Sequence, residues 1–271
     1  MNDITLVIGG TGKTGRRVVE RLEQRGMPVR IAARSTGFDW NDASTWAKAL
    51  EGVRAIYVTY APDLALPSAA PAVAALLAQA GHVQRIVLLS GRGEPETAAA
   101  EEACKAAGIP WTIVKPSFFA QNFSEGAFAD EVRSGVFAFP AGQTAEPFVD
   151  LEDVADVVVA ALLDEVHIGK TYELTGPRLL TFDDVASELS RALPHPVRYA
   201  PVSVDAYASA LAQVMPPEEA TWLATLFGNL LDGHNASLTG DVAKILGRPP
   251  RDFRTYAEQA FGGQLLNVGQ G

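Results

Sequence analysis

The chain has 271 residues, 48% hydrophobic and 20% charged, with a net charge of −10 and a pI near 4.9. This length supports one large core or a nucleotide domain with a smaller partner domain, and the composition excludes a disordered chain. The acidity excludes a protein that grips a phosphate backbone, so no nucleic-acid partner is expected.

The opening Met1-Asn-Asp3 carries no basic leader, and no apolar run reaches the ~18 residues of a membrane helix. The expectation is a cytoplasmic protein with no membrane partner. The first apolar runs are Ile4 to Ile8, Val29 to Ala33, Ala55 to Tyr60, Arg85 to Ser90 and Trp111 to Val114. They lack polar alternation, as strands buried on both faces do. Amphipathic stretches such as Arg16 to Arg25 and Ala72 to Ala80 lie between them. A further strand, Thr171 to Thr175, follows a helix starting near Leu151. Strand-helix alternation predicts a parallel sheet with right-handed crossovers.

Beyond Pro177 the texture changes. Thr181-Phe-Asp-Asp184 has the form of a capping box ahead of a helix. Helices are predicted near Asp205 to Val214, Glu218 to Leu231, Asp241 to Leu246 and Phe253 to Phe261, separated by breaks such as Met215-Pro-Pro217. The predicted fold is α/β: a Rossmann-type, doubly wound parallel sheet with a small, mostly helical C-terminal lobe. The predicted boundaries are a nucleotide-binding domain at 1–177, with part of its pocket from 116–150, a substrate-binding lobe at 178–262 and a flexible tail at 263–271.

The segment Ile4-Thr-Leu-Val-Ile-Gly-Gly-Thr-Gly-Lys-Thr-Gly15 carries the main signal. Gly9, Gly12 and Gly15 fall between a strand and a helix, the context of a dinucleotide fingerprint. Glycines allow a tight turn and close approach to a pyrophosphate, which the free N–H groups of the helix start receive. Gly9, Thr11, Gly12, Lys13, Thr14 and Gly15 are the expected loop contacts. A phosphate-wrapping ATPase loop is excluded, because it needs a glycine where Val7 stands. The second strand ends in Arg34-Ser35 rather than in a carboxylate. Arg34, with Lys13 as a second cation, fits the 2′-phosphate of NADP(H).

The glycine loop, the stretch Phe38-Asp-Trp-Asn-Asp-Ala-Ser-Thr-Trp46, Lys115-Pro-Ser-Phe-Phe-Ala-Gln-Asn122 and Phe148-Val-Asp-Leu-Glu-Asp-Val-Ala-Asp156 together resemble the NmrA-like group of atypical short-chain dehydrogenases. The Phe-Asp-Trp…Thr-Trp pattern is most similar to the branch holding the ergot-alkaloid, festuclavine-type dehydrogenases. The resemblance implies that Asp39 meets the adenine with Trp40 beside it. It implies that Tyr60, Ala61 and Pro62 line the adenosine and pyrophosphate side. It places Ser90 near the nicotinamide, with Pro116 and Phe118 shaping that pocket and Phe118, Phe119 and Phe123 on the substrate side. Ser90 is the candidate catalytic helper.

Most of the wider superfamily protonates its product with a Tyr-x-x-x-Lys pair. Here the corresponding positions fall near Gly93 and Thr97, which lack that chemistry. The expected reaction is therefore NADPH-dependent hydride transfer to a small hydrophobic activated acceptor, an imine, an iminium or a quinone. The alternatives are a non-enzymatic NADP(H) sensor with a protein partner, and a sugar-nucleotide epimerase, which needs the same absent tyrosine. Cys104 reads as packing. His82, His167, His195 and His234 are scattered, and no metal is expected. Asp150, Glu152, Asp153 and Asp156 read as helix-start charges facing the dipole.

Overall fold

Every apolar run of the first half becomes a strand in a computed structural model describing residues 4–126 and 128–262. In chain order the elements begin β1 (Ile4–Ile8), α1 (Lys13–Gln24), β2 (Val29–Ala32), α2 (Trp46–Leu50), β3 (Val53–Val58), α3 (Ala69–Ala78), β4 (Arg85–Leu89), α4 (Ala98–Ala106) and β5 (Trp111–Pro116). They continue with α5 (Ala129–Ser134), β6 (Val136–Phe139), β7 (Ala145–Glu146), α6 (Leu151–Leu163) and β8 (Lys170–Leu174). The last are β9 (Leu180–Thr181), α7 (Phe182–Ala192), β10 (Arg198–Pro201), α8 (Val204–Leu211), α9 (Pro217–Leu230), α10 (Asp241–Leu246) and α11 (Phe253–Phe261).

The chain divides into two compact units, each assembled from separated segments. The first holds residues 4–116, 151–174 and 240–248; the second holds 117–150, 175–239 and 249–262. The tail expected at 263–271 lies outside the described residues.

The first unit is a six-stranded sheet in the order β2-β1-β3-β4-β5-β8, parallel throughout. Both faces are covered, which is why its strands show no polar alternation. Leu6, Ile8, Ile56, Val58, Ile86, Leu88 and Ile113 join one buried cluster with Val73, Leu76 and Leu77 of α3 and Cys104 of α4. The alternate positions Val7, Tyr57, Val87 and Val114 are fully buried as well, and their side of the sheet carries α1 and α6, which pack on each other. The strand order reverses direction between β1 and β3. In open α/β sheets that switch point leaves a crevice at the carboxyl ends of the strands.

Charge locks α1 to α6 and α10. Arg17 Nε donates to Glu152 Oε1 at 2.6 Å, and Arg21 donates to Glu152 Oε2 at 2.6 Å and Asp156 Oδ1 at 2.5 Å. Arg248, just after α10, reaches Asp153 Oδ1 and Asp156 Oδ2, each at 2.7 Å. Of the four carboxylates expected to serve the α6 dipole, Glu152, Asp153 and Asp156 are thus ion-paired to arginines of α1 and of the segment after α10, whereas Asp150 accepts from Gln121 Nε2 at 2.6 Å. Burial opposes ionisation of Glu152, but the Arg21 and Arg17 hydrogen bonds overcome it and hold the group below the ordinary carboxylate range.

The second unit packs α7 against α11 and α8 against α9. It has two short pairings besides, β6 with β10 in parallel and β7 with β9 antiparallel. The predicted capping box is present at the head of α7, where the Thr181 side chain accepts from Asp184 N at 3.1 Å and Asp184 Oδ2 accepts from Thr181 N at 2.9 Å. Its core is a phenylalanine cluster of Phe118, Phe123, Phe128, Phe137, Phe139, Phe148, Phe182 and Phe253. No described helix is long and apolar enough to cross a membrane.

Candidate functional site

The glycine loop stands at the switch point, between β1 and α1. Its backbone is folded so tightly that side chains are barred. A Cβ on Gly15 would lie 2.1 Å from Gly9 O and 2.8 Å from Gly10 Cα, both backbone atoms with nowhere to move. Gly9 has φ +72°, in the left-handed region that favours glycine, and a Cβ there would meet Thr59 Oγ1 at 2.3 Å. Thr59, just past β3, fixes the loop from below by donating to Ile8 O at 3.0 Å. Gly12 caps α1 with no side-chain hydrogen bond, so the first turn keeps donors for an anion. Thr11 and Gly12 are exposed, Lys13 is half-buried, and Thr14 is buried. This is a cradle for a phosphate diester, and it fits a dinucleotide.

On one flank of the loop lies an aromatic group. Trp40 donates from Nε1 to Thr59 O at 3.1 Å. Its ring stands 5.0 Å from Tyr60, 5.4 Å from Phe38 and 6.0 Å from Trp46, centroid to centroid. Tyr60 donates onward to Ser68 Oγ at 3.1 Å, and Ala61 and the cis-linked Pro62 follow it, exposed. Asp39 folds its carboxylate locally, with Oδ1 accepting from Asn41 N at 2.9 Å. Arg34 begins a short 3-10 turn directly after β2 and is exposed to solvent. The structure therefore gathers the loop, Trp40, Tyr60 and the end of β2 along one edge of the first unit.

Ser90 directly follows β4 at the same sheet edge and is buried. Its hydroxyl lies 2.5 Å from Glu101 Oε1 and 3.0 Å from Thr97 Oγ1. Lys115 of β5 donates to the same Glu101 oxygen at 2.6 Å. Burial opposes the Glu101 charge, but Lys115, Ser90 and Thr97 more than offset it and hold the carboxyl low. Sequence reasoning named Ser90 and missed Glu101 as its partner and Lys115 as the cation that holds Glu101. It also passed over Glu94, whose carboxyl is folded back on Gly91. Burial, with Asp63 and Glu96 nearby, pushes Glu94 up to about 7 against the opposing pull of Lys115.

The three phenylalanines expected on the substrate side belong to the second unit. Phe123 is fully buried among Phe128, Phe137, Phe148 and Phe253, at centroid distances of 5.2 to 5.8 Å. Phe118 is 8% exposed and edge-on to Phe139, Phe148 and Phe182. Phe119 is half-buried and bridges to Val149. Pro116 is buried at the end of β5 in the first unit. Cys104 is buried, and burial pushes its thiol up to about 12, which suits packing and not nucleophilic attack.

Family models decide the ancestry. A model described as NAD(P)H-binding matches residues 9–165, and the NmrA-like family model matches residues 96–239. The chain belongs to the NmrA-like, NAD(P)H-binding family. Its cofactor is a reduced or oxidised nicotinamide dinucleotide, in keeping with the glycine cradle. This NmrA-like chain is 30% identical to the NAD(P)H azoreductase of Xenophilus azovorans, covering 95% of this chain and 99% of that one. The likeness to ergot-alkaloid enzymes appears in the agroclavine dehydrogenase of Claviceps fusiformis, 29% identical over 93% of this chain and 95% of the relative. Among solved structures, the NADPH complex of an NADPH-dependent quinone oxidoreductase from Escherichia coli superposes with a TM-score of 0.77. At 22% identity over 95% and 99% of the two chains, it supports the Rossmann-like NmrA fold.

Proposed function

We propose that this NmrA-like protein is an NADPH-dependent oxidoreductase that reduces a small hydrophobic activated acceptor, a quinone, an imine or an iminium, without a Tyr-x-x-x-Lys pair. The carrying observation is the backbone cradle at Gly9, Gly12 and Gly15 at the sheet's switch point, in a chain whose relatives bear the names of reductases and dehydrogenases. When bound, the nicotinamide supplies a hydride.

The chain's residues do the rest. The first turn of α1, with Thr11, Lys13 and Thr14, receives the pyrophosphate. Arg34 pairs with the 2′-phosphate, an assignment favoured by its exposure at the end of β2 and by the lack of a carboxylate there. Trp40 and Asp39 serve the adenine, and Tyr60, Ala61 and Pro62 the adenosine and pyrophosphate side. Ser90 and Pro116 serve the nicotinamide. Among the phenylalanines, the substrate-side role rests first on Phe119, because Phe118 and Phe123 are committed to a core. Activated acceptors suit this site because they need little electrophilic help from the protein.

The test is NADPH oxidation against a panel of quinones, cyclic imines and azo compounds. Turnover with at least one class, and preference for NADPH over NADH, is the expected result. Absence of turnover, together with a protein partner whose affinity differs between NADP⁺ and NADPH, would instead support a sensor.

A further inference from the structure

Glu94 is a half-buried carboxyl in the loop after β4, at the edge of the sheet where the cofactor loop lies. The loop after β4 turns so that its side chain folds back on Gly91. A Cβ on Gly91 would lie 2.2 Å from the carboxyl carbon and 2.3 Å from each oxygen. The glycine thus makes the seat for this carboxyl, and the seat adjoins Ser90. The Glu94 backbone is pinned as well, its carbonyl accepting from Thr97 Oγ1 at 2.8 Å and from Thr97 N at 3.2 Å. The groups whose charges bear on the carboxyl are Asp63, beyond β3, Glu96 in its own loop, Glu101 on α4 and Lys115 on β5. Three are acids. The cation among them, Lys115, is held by Glu101 at 2.6 Å, so it neutralises Glu101 before Glu94.

Resting on the oxidoreductase reading above, we propose that Glu94, seated on Gly91, is the proton donor to the heteroatom of a neutral acceptor after that acceptor has taken a hydride. The O–H bond of the carboxyl breaks and a new O–H or N–H bond forms on the reduced acceptor. A quinone that has gained two electrons and one hydrogen becomes the hydroquinone. Glu94 is left as a carboxylate and regains its proton from water. Its half-protonated state near neutrality matches what general acid catalysis asks of a donor. A cationic iminium acceptor needs no such proton, and its reduction does not depend on Glu94.

Two readouts test this. In the cofactor-free protein, the carboxylic C=O stretch assigned by difference infrared spectroscopy between wild type and Glu94→Gln should titrate near neutrality. In Gly91→Ala, where the new methyl must displace the carboxyl, that titration should move down towards the ordinary glutamate range. In turnover, Glu94→Gln should lower kcat for a neutral quinone tenfold or more and remove the fall in kcat at alkaline pH. It should leave the KM for NADPH and the reduction of an N-alkylated iminium within twofold of wild type. Titration of Glu94 near the ordinary glutamate value overturns the proposal. So does an unchanged quinone pH profile in Glu94→Gln. Either result leaves the oxidoreductase reading standing, provided some acceptor turns over. Absence of turnover with every acceptor overturns both.

Discussion

At the scale of single residues, the site is governed by atoms that are missing as much as by those present. Gly15 is the clearest case, because its hydrogen faces the Gly9 carbonyl at a distance no methyl tolerates. Gly15→Ala should abolish NADPH binding in titration calorimetry, whereas Gly81→Ala, with open space around it, should leave binding intact. The role proposed for Arg34 is of the opposite kind, that of a charge held in solvent. Losing one charge-assisted contact of about 1.5–3 kcal/mol predicts that Arg34→Ala weakens NADPH binding roughly 10- to 100-fold and leaves NADH nearly unchanged. Equal affinities for the two nucleotides in the wild-type protein would contradict the assignment. The proposal for Arg34 starts from the sequence, because the residue stands where a carboxylate normally ends the second strand. Glu94 was not legible there, since its environment comes from Asp63 and Lys115, remote in sequence and brought near by the parallel register of β3, β4 and β5.

At the scale of elements, the strands were readable because burial on two faces leaves unbroken apolar runs, and their ends shifted by only one or two residues. The Ala55 to Tyr60 run illustrates the shift. The observed strand is Val53–Val58, because Thr59 turns its hydroxyl to the β1 carbonyl and Tyr60 joins the aromatic group. The α6 carboxylates were identified as a helix start, but their arginine partners are 131 to 135 positions away for α1. No local pattern announces such a pair. Arg21→Leu should cost about 1.5–3 kcal/mol in chemical denaturation, the range for hydrogen bonds to charged groups. The pH dependence has a definite sign. Glu152 is held low in the folded protein, so its stabilisation is full above the unfolded carboxylate pKa and is lost as pH falls through the lower folded value. Arg21→Leu should therefore flatten the decline of Tm on acidification. A decline as steep as wild type would show that the pair contributes little.

At the scale of the whole molecule, two cores carry the stability. In the second unit the phenylalanine cluster dominates, and Phe123→Ala should cost about 3–5 kcal/mol, read as a lower midpoint in urea with ligand absent. This separates packing from recognition: Phe119, only half-buried, should alter acceptor preference with a smaller loss of stability. The division of the chain was hard to read from sequence because composition changes near Pro177, whereas spatial membership changes at 117, 151, 175, 240 and 249. The order in which the ribosome releases these pieces follows from that weaving. Arg248 emerges long after Asp153 and Asp156, the acids it clasps, so a nascent chain stalled before α10 holds those acids without this partner. Synthesis of the nucleotide unit therefore ends late, and premature termination shortly before α10 should yield a product that proteases degrade.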